Sequence, residues 1–231
     1  MIVAVTITAL GVFLVGLITQ LFGYRVGGTI AIPVLAVYSL KNFWMLPIFL
    51  LSTLLAYVGL HVAKQQTLIY GRDELLVAMA VGSGVPLVLL TILGSYVPEP
   101  LRGVVFIGSI LPGLAAYNYH QIKPQYRRWD VTTTGLLLVS LLAIGWVLVA
   151  PSYTNTLGTL TPPVLFAATA DTAVLKQAVV AADLQPPILS RSTAVALFLI
   201  GVTLSERIRS RYGIRTGLIA MALLALYTFA S

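Results

Sequence analysis

The run LLLVSLLAIGWVLVA (136–150) carries no charged residue, and comparably apolar stretches recur along most of the chain. A helix needs about 20 such residues to cross the hydrocarbon of a bilayer. The apolar runs are continuous; a membrane barrel would show short strands of alternating polarity instead. The opening run MIVAVTITALGVFLVGLITQLF has no basic stretch before its apolar core and is long enough to span. It reads as a retained first helix and not as a cleaved leader. Charged residues make up 9% of the 231 residues and hydrophobic ones 58%, against roughly 25% charged in soluble domains. The expectation is an all-α integral membrane protein of about seven to eight hydrophobic segments, some short or re-entrant, with an internal repeat.

The segments fall at 1–22, 27–40, 43–63, 75–97, 103–118, 133–150, 193–206 and 216–230. The second, fifth, seventh and eighth are short for a full crossing. Three regions follow: a membrane domain over 1–150, a Pro-delimited extracytoplasmic loop over 151–191, and a C-terminal helix hairpin over 192–231 that resembles 11–40. Within the loop, VLFAATADTAVLKQAVVAADL is helical by composition but weakly apolar. It is expected at the membrane interface or packed on the bundle. There is no cysteine, which excludes disulfides, thiolate metal sites and cysteine nucleophiles.

If all eight segments cross, ten of the 14 lysines and arginines share one side, among them Arg25, Lys64, Arg72, Lys123 and Arg215. Lys41, Arg102, Lys176 and Arg191 take the other. By the positive-inside rule the first side is cytoplasmic, and both termini lie outside a cell membrane that the chain crosses several times.

Two corners stand on that basic side. FGYRVGG (22–28) and YGIRTGL (212–218) align together with their preceding helices, so that Gly23, Arg25 and Gly27 meet Gly213, Arg215 and Gly217. Glycine there accepts the positive φ of a helix end, and arginine can snorkel to lipid phosphate or present its fork to a carboxylate. A helix–turn–helix with lipid anchors and a partner-facing rim are both open readings. A second echo joins IPVLAVY (32–38) to LPGLAAY (111–117), with Pro33 opposite Pro112 and Gly113 following. Short Pro-interrupted segments in corresponding places mark either kinked packing helices or a polar site lined by freed backbone groups.

TLIYGRDELL (67–76) holds the densest mixed charge in the chain. Asp73 and Glu74 suit a helix N-terminus, while Tyr70, Gly71 and Arg72 offer a docking surface for an anionic ligand or a subunit. NYHQIKPQYRRWD (118–130) mixes basic and aromatic residues, as an interfacial belt does. His61 and His120 are two segments apart without a carboxylate pattern, which argues against a metal site. No Ser-His-Asp order, phosphate loop or paired carboxylates within a span is present, and no catalytic residue is assigned.

In order, GYRVGGTIAIPVLAVYSL, LIYGRDELLVAMAVGSG and LRGVVFIGSILPGLAAYNY resemble the membrane C subunit of poly-γ-glutamate synthetase, the CapC/PgsC family, across roughly residues 10–150. The Leu-Ile-Tyr-Gly-Arg run (68–72) is the most specific element, followed by Arg102-Gly103 with Leu-Pro-Gly (111–113). The resemblance implies a membrane subunit of a capsule-type polymer complex, non-catalytic or co-catalytic. Its implied partners are a cytosolic Mur-ligase-like ATP-dependent amide ligase, another capsule-synthesis membrane subunit, the polyanionic polymer and membrane lipid, without nucleic acid. ATP and a divalent metal would sit on the ligase, and this chain is expected to bind no cofactor. Arg25, Tyr70, Gly71, Arg72, Arg102 and Arg215 are the expected partner- or polymer-facing residues. The sequence departs from the family at Gln20 and Ser210, where glutamate is usual, and at Val34, where glycine follows the proline.

A stand-alone secondary transporter of a small or anionic substrate, with its site between Pro33 and Pro112, is the alternative. It lacks the acidic residue inside a span that usually marks ion coupling. A membrane enzyme working through His61 or His120 on lipid-linked or acyl substrates ranks third.

Overall fold

The computed structural model describes residues 2–67, 69, 71–93, 111–159, 164–180, 207–208 and 211–212, with backbone alone at 72, 83 and 85–93. The chain divides into two compact units, 1–182 and 183–231. In the second, residues 207–208 and 211–212 are helical, and the Arg211 guanidinium lies 5.9 Å from the Tyr212 ring. The expected segments 193–206 and 216–230 lie outside the described residues. So do Tyr70, Arg102, Gly213, Arg215 and Gly217.

Among the described residues, all long regular elements are helices: α1 (Ile2–Phe22), α2 (Ala31–Lys41), α3 (Met45–Gln66), α4 (Arg72–Leu93), α5 (Leu111–His120) and α6 (Arg127–Leu148). Three helical stretches, Ile2–Phe22, Met45–Gln66 and Pro124–Leu148, are long and apolar enough to cross a membrane. Their outward faces are apolar as well. Phe13 and Leu21 on α1 and Leu136 and Val147 on α6 are each about two-thirds exposed, a pattern that suits lipid and would drive aggregation in water.

Local chemistry fixes the helix ends. Gly23, at φ 70, closes α1 by donating its N–H to the Thr19 carbonyl at 3.0 Å, the left-handed glycine that commonly follows a last helical turn. Helix α2 begins only at Ala31, four residues later than the sequence suggests. Val26, Gly27 and Gly28 all have positive φ (47, 64 and 108), a conformation no right-handed helix admits. Pro33 is the third residue of α2. At this position the missing N–H falls among donors that have no intrahelical partner anyway. Pro33 therefore sits in an opening turn and kinks nothing.

The helices pack as two triads. One is α1, α2 and α6; the other is α3, α4 and α5. In the first, a Cβ on Gly11 would stand 2.7 Å from Pro33 and 3.0 Å from Leu141, and one on Gly145 would meet Ile7 and Leu40. These contacts make α1 antiparallel to α2 and α6, and α2 parallel to α6. In the second, a Cβ on Gly113 would stand 2.5 Å from the Ala78 carbonyl, and Gly59 faces Val81. Together with the Lys64–Glu74 and Gln121–Glu74 pairs, this makes α4 antiparallel to α3 and α5.

The stretch 164–180 packs on the bundle, one of the two placements expected of it, but without the long helix expected there. Only Asp171–Leu175 (α7) is α-helical there, and Gln177 at φ 55 ends it. Leu165, Phe166, Ala167, Ala170 and Ala173 are all buried to within 2%. Thr172 Oγ1 donates to the Leu40 carbonyl at 2.6 Å, and Asp171 Oδ2 accepts from Phe43 N at 2.9 Å. The segment thus satisfies open backbone groups where α2 ends, and Leu165, Phe166, Ala167, Ala170 and Ala173 join the core, while Val174, Leu175 and Val179 stay exposed.

A basic and aromatic rim as the candidate functional site

Five helix ends meet at one end of this unit: the close of α1, α3 and α5 and the opening of α4 and α6. The corner 22–28 is tied there from two sides. Asp130, in the first turn of α6 and only 2% exposed, accepts through one oxygen from the backbone N–H of Arg25 at 2.8 Å and of Val26 at 2.9 Å. Asn118 Nδ2, on the last turn of α5, donates to the Leu114 carbonyl at 2.9 Å and more weakly to Gly27 O at 3.3 Å. A Cβ on Gly28 would come within 2.7 Å of that Asn118 nitrogen. Glycine at 28 thus serves both its φ and the close approach of α5. The Arg25 side chain stays exposed, because its main chain makes the clamp.

A second cluster joins α3, α4 and α5. Glu74, 3% exposed in the first turn of α4, accepts from Lys64 Nζ at 2.9 Å and from Gln121 Nε2 at 3.0 Å. A buried carboxylate needs such compensation, and the helix N-terminus adds to it. Beside it the Tyr57 and His120 rings stack with centroids 4.4 Å apart, and His61 lies 6.3 Å beyond His120. His120 Nε2 donates to the Tyr57 carbonyl at 3.3 Å. Burial holds the His120 imidazolium below the usual histidine value of 6.5, Lys64 and Arg127 adding to that, while the Tyr57 bond and Glu74 oppose it.

Aromatic contacts make these clusters continuous. Arg127 lies 5.4 Å from the Tyr119 ring, which meets Tyr57 edge-on; Tyr24 stacks on Phe22 and approaches Tyr126 at 6.5 Å. Arg25, Lys64, Lys123 and Arg128 are exposed along the same edge. Chemically it is a shallow cationic surface with an aromatic floor, suited to carboxylate or phosphate groups. Among the described residues no group of three or more His, Asp or Glu is placed to hold a metal ion.

Of the residues picked from sequence, Arg25, Gly23 and Gly27 build the corner, and Gly71 (φ 63) turns the chain into α4, whose first residue is Arg72. Pro33, Pro112 and Gly113 are buried in helix packing away from the rim. His61 and His120, read as remote from each other, are neighbours. Sequence reasoning does not single out Asp130, Asn118 or Gln121, and it places Glu74 at a helix N-terminus without revealing its burial. The acid that opens the apolar run after RRW was the one available signal for Asp130.

A family model, capsule biosynthesis CapC, matches residues 10–128, just over half of the chain. The chain belongs to the CapC family. No curated protein and no solved structure matches it. The CapC match runs from the middle of α1 to the opening of α6, taking in the corner, the Glu74 cluster and both histidines. Asp130 lies just beyond it. Membership associates the chain with capsule or polymer synthesis, and the apolar helices suit a membrane location.

Proposed function

We propose that this CapC-family chain is the membrane subunit of a poly-γ-glutamate synthesis complex. It crosses the membrane seven or eight times with both termini outside, supports a cytosolic ATP-dependent amide ligase of the Mur-ligase type, and passes the polymer outward. The observation that carries the reading is the rim. Family-matched residues at these helix ends gather Arg25, Lys64, Lys123 and Arg127 on one face, with Arg127 over the Tyr119 ring. A polycarboxylate and its ligase would meet that face from the cytoplasm, drawn by its positive potential. Neither ATP chemistry nor a nucleophile is required of this chain, and the buried acids Glu74 and Asp130 are already engaged by neighbouring donors.

The test is genetic and biochemical. Deleting the chain should abolish polymer, and the purified chain should retain a Mur-ligase-like protein from native membranes. Arg25→Gln with Lys123→Gln should weaken that retention while the protein stays in the membrane. Full polymer yield without the chain would overturn the proposal.

A further inference from the structure

A groove runs between α2 and α6 at the end of the first unit opposite the rim. Ser39 and, just past the end of α2, Phe43 line one wall. Val139, Leu142, Ala143 and Trp146 of α6 line the other, around a space of about 450 Å³. That volume falls within the ~300–1,000 Å³ of small-ligand sites. The groove opens sideways, because Phe43, Val139 and Trp146 are all exposed. Helix α6 sets its depth in a membrane. Trp129 and Trp146 are both exposed and stand about 26 Å apart along that helix at 1.5 Å per residue. Indoles mark the two membrane–water interfaces, and this spacing is close to the ~30 Å of hydrocarbon between them. Trp146 therefore stands at the interface farther from the rim. Val139, seven residues earlier, lies about 10 Å into the hydrocarbon, so the groove covers most of the depth of one leaflet.

Two polar groups stand at its shallow end. The Leu40 side chain packs against Gly145, so Ser39 lies level with the last turns of α6, just beneath Trp146. Ser39 is 4% exposed, and its Oγ has no hydrogen-bond partner among the described residues. Ser140 of α6, by contrast, donates to the Leu136 carbonyl at 2.8 Å, the bond a helical serine makes to its own backbone. Above Ser39, Lys176 Nζ donates to the Trp146 carbonyl and lies 5.1 Å from the Trp146 ring. An ammonium carries three donors, so that bond leaves capacity for a further acceptor.

We propose that this groove holds one anionic glycerophospholipid. An acyl chain lies along Leu142 and Val139, an ester carbonyl accepts from the Ser39 hydroxyl, and the phosphate meets Lys176. Chain, ester and phosphate are met in the order and at the depths at which a bilayer lipid presents them. Apolar lining alone would not select this occupant, since lipid tails are as apolar as the helix surface. Selection comes from the two polar groups. The buried hydroxyl gains an acceptor that the described protein does not offer it, and a cation at the interface attracts an anionic headgroup. The inference is independent of the polymer role proposed above and requires only that α6 cross a membrane.

The test uses the full chain, purified in detergent and stripped of lipid. Dioleoyl phosphatidylglycerol is the probe and dioleoyl phosphatidylcholine the comparison. Phosphatidylglycerol should raise the melting temperature and bind about fivefold more tightly, the preference that one interfacial lysine confers. Lys176→Gln should remove that preference. Ala143→Trp, which fills the groove from an exposed position on α6, should abolish the shift for both lipids. Ser39→Ala should leave the lipid-free protein no less stable, because it removes an unpaired hydroxyl, yet it should shrink the lipid-induced shift. Occupancy is also read in the unaltered chain, so the outcome does not hang on the variants folding. A phosphatidylglycerol with a photoactivatable group on its acyl chain should attach to the peptide holding Val139 and Leu142. An undiminished shift in Ala143→Trp, equal affinity for the two headgroups, or attachment only elsewhere would overturn the proposal. So would photocrosslinking from Val139→Cys in native membranes that captures residues 183–231 or a second copy of the chain, since protein would then cover the groove.

Discussion

Removing the Asp130 carboxylate should loosen the corner and weaken the whole first triad. Asp130→Ala leaves the buried Val26 N–H without an acceptor, at a cost of about 1–3 kcal/mol. The part-buried Arg25 N–H loses a charge-assisted bond, of which water restores a share; about 1 kcal/mol is a fair remainder. Losing the negative charge in the first turn of α6 adds roughly 0.3–1 kcal/mol. The expected total is about 2–5 kcal/mol, consistent with breaking a buried charged network. In a chain of this size that lowers the melting temperature by on the order of 10 °C. Asp130→Asn keeps one acceptor oxygen and loses the charge, so its cost should be about half as large. The assay is thermal unfolding in detergent, with hydrogen exchange at Arg25 and Val26 as the local readout. Asp73→Ala is the control, being an exposed acid in the first turn of α4. An Asp130→Ala shift no larger than that of Asp73→Ala would refute the clamp.

Val26 is fully buried yet holds φ 47, which costs a β-branched residue about 1–2 kcal/mol. Val26→Gly should therefore be at least as stable as Val26→Ala, the reverse of the usual order, as unfolding temperatures will show. Gly113→Ala should destabilise by about 1–3 kcal/mol, because its Cβ would meet the backbone carbonyl of Ala78 and neither helix can yield easily. Gly135→Ala, with open space around it in α6, should be neutral or stabilising by up to about 1 kcal/mol in the same assay. His120 carries less proton in the folded than in the unfolded state. Its contribution to stability is complete above the ordinary histidine value of 6.5 and is lost as pH falls from there through the lower folded value. His120→Gln should flatten the dependence of melting temperature on pH in that window, and an unaltered slope would assign it to other groups.

The long helices were legible because continuous apolar runs admit few alternatives, and α1 and α3 lie within a few residues of their expected places. The corner was legible in kind but not in extent. Gly23, Gly27 and Gly28 announce positive φ, whereas nothing about a valine announces it, so a helix drawn from 27 ran through a stretch that Val26 had already turned away from helix. The error at 164–180 has another cause. Alanine-rich composition favours helix, but the segment's backbone and hydroxyl groups found better use at Leu40 and Phe43 where α2 ends. Local propensity could not register that demand.

The rim shows the limit of counting charges along loops. A net count of loop charges would set Asp130 and Glu74 against the ten cations as solvent groups, yet both are buried and spent on the chain itself. Once they are withdrawn from the surface, Arg25, Lys123 and Arg128 stand exposed on a more cationic edge than such a count implies. The same two acids fix where those cations stand: Asp130 holds the main chain of Arg25, and Glu74 holds Lys64 and the turn that leads to Lys123. Neutralising an acid should therefore not strengthen attraction for a polyanion, as simple charge arithmetic would have it. Asp130→Asn should instead weaken retention of a polycarboxylate by purified protein, because it adds net positive charge but frees the corner that aims Arg25. Tighter retention, with an undiminished salt dependence, would show that bulk charge governs this face and that its geometry does not.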